Sequence, residues 1–151
     1  MQKLNIAIPQ DAVWILNKLN EGGHEAYIVG GCVRDSILGR MPQDWDITTS
    51  ALPEETKTIF DHTFDTGIKH GTITVVLHHE NYEVTTYRID GEYADCRHPD
   101  EVSFTKKLNE DLLRRDFTMN AIAYHPKEGF RDPFHGQEDI AAGIIRGVGE
   151  P

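Results

Sequence analysis

Residues 26–49 read AYIVGGCVRDSILGRMPQDWDITT, a stretch that carries a strand, a glycine turn, a helix and a second strand in succession. The short apolar run 26–29 stops at Gly30-Gly31, and residues 33–38 then repeat their apolar positions with helical spacing as far as Gly39. Residues 44–49 return to strand composition. Within them Asp44 and Asp46, two positions apart, would share one face and stand roughly 7 Å apart along the chain. Trp45 would point the opposite way, into a helical layer.

Two carboxylates aimed at one point form an oxygen-only donor set of the kind magnesium takes, and a pair of such ions can clamp the two oxygens of a phosphoryl transfer. Taken alone, Asp-x-Asp is more commonly a solvated strand edge or a turn cap. Upstream, Gly30 and Gly31 lie where a strand passes into a helix. There glycines let the backbone approach an anion, and free N–H groups with the positive helix end favour phosphate. Arg34, about one turn in, would add a forked pair of donors. No Gly-Lys-Ser/Thr follows, so this is not a P-loop, and it is not G-x-G-x-x-G either. A purely structural glycine turn is the other reading.

Towards the amino terminus, Ala12, Val13, Ile15, Leu16 and Leu19 recur at three- and four-residue intervals and predict a surface helix over 10–19. Towards the carboxyl terminus the pattern predicts a helix over 53–60 with proline in its first turn. Strands over 72–78 and 82–88 follow, joined by a turn at 79–81. If the strand 82–88 lies beside 44–49, Glu83 becomes a third carboxylate; otherwise it is an ordinary solvent-facing strand glutamate. Residues 91–107 are polar and aperiodic and predict a long loop. A helix over 108–115, a strand over 121–124, a turn-rich connection over 129–136, a helix over 137–142 and a strand over 144–148 complete the pass. In Arg114-Arg115-Asp116-Phe117-Thr118-Met119-Asn120, Arg115 is a candidate ligand for a triphosphate. Asp116 and Asn120 are candidates to hold the local turn, although helix ends also carry arginines simply to complement the dipole.

At 151 residues the chain has the length of one domain. No apolar run approaches the roughly 20 residues of a membrane span, and the amino terminus lacks the layout of a signal peptide, so a cytoplasmic protein is expected. Cys32 and Cys96 are far apart and outside any C-x-x-C pair, which argues for free thiols rather than a disulfide framework or zinc site. The eight histidines form no H-E-x-x-H motif, and His78 and His79, adjacent on one strand, would point to opposite faces. A formal charge of −10 is awkward for an RNA partner. Either the basic surface is local or it lies elsewhere, and bound metal ions would neutralise some of the carboxylates.

The segments GGCVRDSILGR, DWDITTSALPEET, EVTTYR, RRDFTMNAIAY and RDPFHGQEDI, taken in this order, resemble the tRNA CCA-adding enzymes and bacterial poly(A) polymerases, the bacterial and eukaryotic class of polymerase-β-like nucleotidyltransferases. The resemblance runs from Ala26 nearly to the end. It implies that Asp44, Asp46 and Glu83 bind two catalytic Mg2+ ions and that Gly30, Gly31, Arg34 and Arg115 bind the incoming nucleotide. Lys69-His70-Gly71-Thr72 matches the stretch beside the family's flexible loop, and 91–98 the loop itself. The expected fold is α/β (α+β), a mixed, mainly antiparallel sheet of about five strands with helices chiefly on one face.

The expected reaction is CCA addition to the 3′ end of tRNA from ATP and CTP. A poly(A) polymerase or a CC-only or A-only enzyme is the alternative, and a non-catalytic nucleotide- or RNA-binding module comes third. The resemblance also implies that residues 1–151 form the head alone. The neck, body and tail, with the base-reading neck motif, would lie outside them, so the isolated head is expected to be inactive or unselective between ATP and CTP.

Overall fold

The computed structural model of the chain describes residues 8–42, 44–67, 71–90, 102–115, 117–143 and 145. At its centre is β1, Ala26–Val29, in which every residue is buried. Alternation along a strand sends Ala26 and Ile28 into one apolar cluster, and Tyr27 and Val29 into another on the opposite face. A strand covered on both faces reads as a continuous apolar run, as this one does.

The first face carries most of the helices. Helix α1, Gln10–Glu21, buries Ala12, Ile15, Leu16 and Leu19 of the predicted stripe and leaves Val13 half-buried, with Asp11 in its first turn and Lys18 in its last complementing the dipole. Cys32 and Val33 of α2, Gly31–Ile37, join that cluster, and so does Trp45, which faces the helical layer as its alternation demanded. Helix α3, Pro53–Ile59, starts where the backbone N–H of Leu52 donates to the Glu55 carboxylate at 2.8 Å, half of a capping box. Fully buried side chains such as Ile28 and Ile47 each stabilise the fold by roughly 1.5–3 kcal/mol. The opposite face is covered by α4, Leu108–Leu113, through Leu108 and Leu112.

The remaining strands are β2, Asp46–Thr49; β3, Thr63–Gly67; β4, Thr72–Leu77; β5, Glu80–Thr86; β6, Arg88–Asp90; β7, Val102–Phe104; β8, Ala123–His125; and β9, Gly129–Arg131. Six of these join β1 in one seven-stranded sheet of order β3-β4-β5-β2-β1-β8-β9, and β6 pairs with β7 separately. The mixed, mainly antiparallel class expected from the sequence is present, with β2 and β5 running parallel.

The sheet has seven strands rather than about five. Strand β3, TFDTG, shows no apolar alternation, and Phe64 is 62% exposed, as an edge strand permits. Strands β7 and β9 are three residues each and lie inside stretches whose polar composition predicted loop and turn. The hairpin between β4 and β5 turns at His78-His79 rather than at 79–81, with φ of 50° and 68°. Such a two-residue turn usually announces itself with Asn-Gly, which is why the sequence concealed it. The two histidines therefore sit in a turn and not on a strand, and the His78 Nδ1 lies 2.9 Å from the Asp11 carboxylate on α1. The strand expected at 144–148 lies outside the described residues except for Ile145, which is in no strand. Helix α5, Gly136–Ala142, begins where Asp132 accepts from the N–H groups of Gly136 and Gln137.

Candidate active site

Strand β1 ends at Val29, whose register partner on β2 is Asp46, and Asp46 is in turn the partner of Glu83 on β5. The glycine turn and two carboxylates are thus brought to one end of the sheet by pairing alone. Asp44 precedes the start of β2 rather than lying on it, yet the exposed–buried–exposed sequence of Asp44, Trp45 and Asp46 keeps both carboxylates on the solvent side. Among the described residues, no three His, Cys, Asp or Glu side chains are gathered closely enough to hold one ion as they stand.

Electrostatics nevertheless link the three acids. The Asp46 carboxyl is raised above its ordinary range, first by burial and then by the Glu83 charge; Arg115 opposes the shift and Asp44 adds to it. Carboxylates that repel one another beside a cavity, with oxygen as the only donor, have the chemistry that a hard divalent cation satisfies.

Gly30 takes φ 84° and ψ −141°, a conformation open essentially to glycine, as it caps α2. A β-carbon on Gly30 would lie 3.6 Å from Arg115 Nη1, and one on Gly31 3.3 Å from Arg34 Nη2. Each glycine is therefore overlain by a guanidinium. With only seven residues in α2, the cationic character of the cradle comes mainly from these side chains. Next to the turn, the Cys32 thiol donates to the Val29 carbonyl at 3.2 Å, and burial pushes it up to about 11. It is not a nucleophile at neutral pH. Cys96 lies outside the described residues.

A cavity of about 420 Å³ opens over Gly30 and Gly31, and Arg34, Arg88, Arg114 and Arg115 line it together with Asp46. A second opening of about 480 Å³ shares Gly31, Arg34 and Asp46 with it and extends past Asp44 and Arg40. A chain of net charge −10 thus concentrates four arginines in one recess.

Arg34 is held from two sides, its Nη1 donating to Asn120 Oδ1 at 2.9 Å and its Nε to Asp35 Oδ1 at 3.2 Å. Asn120, expected to hold a local turn, instead reaches across to α2 from the 3-10 turn Thr118–Asn120. That turn is pressed against α5. The Thr118 hydroxyl donates to Asp139, and a β-carbon on Gly136 would stand 2.1 Å from the Thr118 carbonyl oxygen. Of the expected site residues, Gly30, Gly31, Arg34, Asp46 and Arg115 share the first cavity, Asp44 lines the second, and Glu83 lines neither but adjoins Asp46.

Sequence reasoning did not select Arg88, Arg114 or Asp111. Arg88 closes the EVTTYR segment, and Asp111 precedes Arg114 and Arg115 by three and four residues, the helical spacing of an ion pair, so both had signals. Asp116, the positions 68–70 and the loop 91–98 lie outside the described residues. Among the described residues, no helix is long and apolar enough to cross a membrane.

Comparison with known proteins identifies the fold. Residues 26–146 match the Poly A polymerase head domain family. The chain is 55% identical over 141 residues to a CCA-adding enzyme of Geobacillus thermodenitrificans, covering 93% of this chain and 35% of that protein. It superimposes with a TM-score of 0.84, at 50% identity, on the Bacillus stearothermophilus CCA-adding enzyme solved in complex with CTP, covering 93% of this chain and 33% of the other. A CCA-adding enzyme solved with ATP gives 0.69 at 27% identity, covering 91% of this chain and 32% of the other. The chain spans about a third of the length of the proteins it matches.

Proposed function

The chain belongs to the Poly A polymerase head domain family, and from that premise we propose that it is the catalytic head of an enzyme that adds nucleotides from CTP and ATP to the 3′ end of tRNA. The observation that carries the proposal is the register placing Asp46 beside Glu83, next to a recess lined by four arginines. The family generally uses divalent metal ions. Asp44, Asp46 and Glu83 would hold two magnesium ions, which when bound supply a lower pKa for the attacking hydroxyl and charge neutralisation at phosphorus.

The chain's own residues place and neutralise. The RNA 3′-hydroxyl gives up its proton to solvent and attacks the α-phosphorus of the nucleoside triphosphate, the bond to the bridging oxygen breaks, and pyrophosphate leaves with that oxygen. Arg34 and Arg115 offset the charge that develops on the leaving group, and Gly30 and Gly31 admit the phosphates close to the backbone. Arg34 enters this role already oriented by Asn120 and Asp35, which lowers the cost of ordering it on binding. A cytoplasmic setting is part of the same proposal.

CCA addition is favoured over poly(A) synthesis by CCA-adding enzymes that are 50–55% identical to this chain. The test is to give the enzyme containing this head a tRNA lacking its terminal CCA, with CTP and ATP separately and together. Completion of CCA only when both are present is the expected result. A run of adenylates from ATP alone would make it a poly(A) polymerase, addition of only C or only A would make it a partial enzyme, and no extension with either would leave a binding module.

A further inference from the structure

Asp111 is a carboxylate with no exposure to solvent, at the third turnward position before two arginines of the nucleotide cavity. Its Oδ2 accepts from Arg115 Nη2 and from the Thr48 hydroxyl, both at 3.2 Å. Its Oδ1 accepts from the Arg88 backbone N–H at 3.0 Å and from Arg114 Nε at 3.4 Å. One side chain on α4 therefore joins three parts of the site. Thr48 stands two residues beyond Asp46 on β2, Arg88 follows the strand that bears Glu83, and the two guanidinium groups face the recess.

A buried charge persists only when it is paired and hydrogen-bonded, and here the pairing is to groups that must point elsewhere. Arg115 Nε is buried with no hydrogen-bond partner among the described residues, so the contact through Nη2 fixes which way the planar fork turns. Nη1 of the same fork lies over Gly30.

We infer that Asp111 is a positioning residue, resting on the reading of this recess as the nucleotide site: it anchors Arg115 and Arg114 so that their free N–H groups meet the nucleotide's phosphates in register with Asp46. Asp111 touches no substrate. It acts through the arginines, and it fixes α4 against β2 so that cationic and carboxylate halves of the site keep one spacing.

The test is titration of this chain with CTP in the presence of magnesium. Asp111→Asn keeps the shape and removes the charge, and its amide group confronts donors with a donor. The dissociation constant should rise about tenfold to a hundredfold. When Arg114 and Arg115 are both already alanine, adding Asp111→Asn should cost less than about threefold more, because the partners through which it acts are gone.

Unchanged affinity in a folded Asp111→Asn chain overturns the positioning role alone, and so does a full additional loss on the background in which Arg114 and Arg115 are both alanine. Absence of any CTP binding by the wild-type chain overturns the nucleotide-site reading as well. If Asp111→Asn does not fold, the wild-type protein carries the test through 15N resonances of the Arg115 guanidinium. Separate Nη signals, slowed in rotation, support a held fork, and a single averaged signal overturns it.

Discussion

Asp46 and Glu83 are Cα partners across the parallel pairing of β2 and β5, so two like charges stand side by side on adjacent strands. The arrangement is electrostatically unfavourable in the chain by itself and chemically useful once a cation is shared. Arg115 offsets part of the repulsion from the other wall. A site built this way stores a cost that mutation can release.

Asp46→Asn should separate activity from stability. The folded carboxyl binds its proton more readily than the unfolded one, because burial, Glu83 and Asp44 raise it above its ordinary 3.8. Stability is therefore lost as pH rises from 3.8 through the raised folded value, and at neutral pH the whole cost is present, reduced by solvent screening since Asp46 is exposed to the cavity. The variant should lose nucleotide addition by about a thousandfold or more while melting up to a few degrees higher. A lower melting temperature contradicts the electrostatic account, and retained turnover contradicts the catalytic one.

Asn120→Ala removes the acceptor for Arg34 Nη1 and leaves Asp35 as the remaining partner of that guanidinium. The enzyme's KM for CTP should rise about tenfold through the lost charge-assisted bond, with the fold intact by circular dichroism. An unaltered KM would show that Asp35 alone orients Arg34.

Much of this was legible because the decisive residues lie on elements with strong local signals. The apolar stripe of α1, the run of β1 and the glycine turn before α2 needed no tertiary context, and once β1, β2 and β5 existed as strands the carboxylates had few places to go. What the sequence concealed depends on contacts distant in the chain. Strand β3 is an edge whose polar composition says loop, and β7 forms only because β6 offers it a ladder. The turn at His78-His79 takes positive φ without a glycine or asparagine. Asp111 drew no notice in the sequence because its role depends on α4 lying against β2, and Asn120 read as a turn residue although its side chain meets Arg34 of α2 at 2.9 Å.

His125 makes stability depend on pH in a direction that can be worked out. Its Nδ1 accepts from the Lys127 N–H at 3.0 Å, which leaves the proton on Nε2 to donate to Asn20 Oδ1 at 2.9 Å, so the hydrogen bonds assign the neutral ring. Burial lowers its pKa below the ordinary 6.5; Glu128 opposes that and Lys127 adds to it. With the folded value depressed, the unfolded chain takes up the proton first as pH falls. The stability is complete above 6.5 and declines between there and the folded pKa. The urea midpoint should drop between pH 7.5 and 5.5 in the wild type and drop less in His125→Gln; parallel declines would assign the effect to other groups.

Gly71 and Gly129 both adopt φ of 83°, but they differ in what a side chain would meet. Nothing lies within 4 Å of a β-carbon at Gly129, so Gly129→Ala carries only the left-handed backbone cost, about 1–2 kcal/mol. At Gly71 the same carbon would come within 2.7 Å of Phe104 Cε1 on β7 and 3.4 Å of Thr86 Cβ on β5, while the Gly71 carbonyl accepts from the Thr86 N–H at 2.9 Å. The carbonyl bond pins the backbone in place, so the strain must be relieved by Phe104, which is 40% exposed and sits on the hairpin continuing from Tyr87. Gly71→Ala should therefore destabilise the fold by roughly 1–2 kcal/mol more than Gly129→Ala, the cost of overpacking. Adding Phe104→Ala should recover part of that difference, because the obstructing ring is then gone. Equal losses at the two glycines in chemical denaturation would mean that the hairpin shifts freely and does not bear on Gly71.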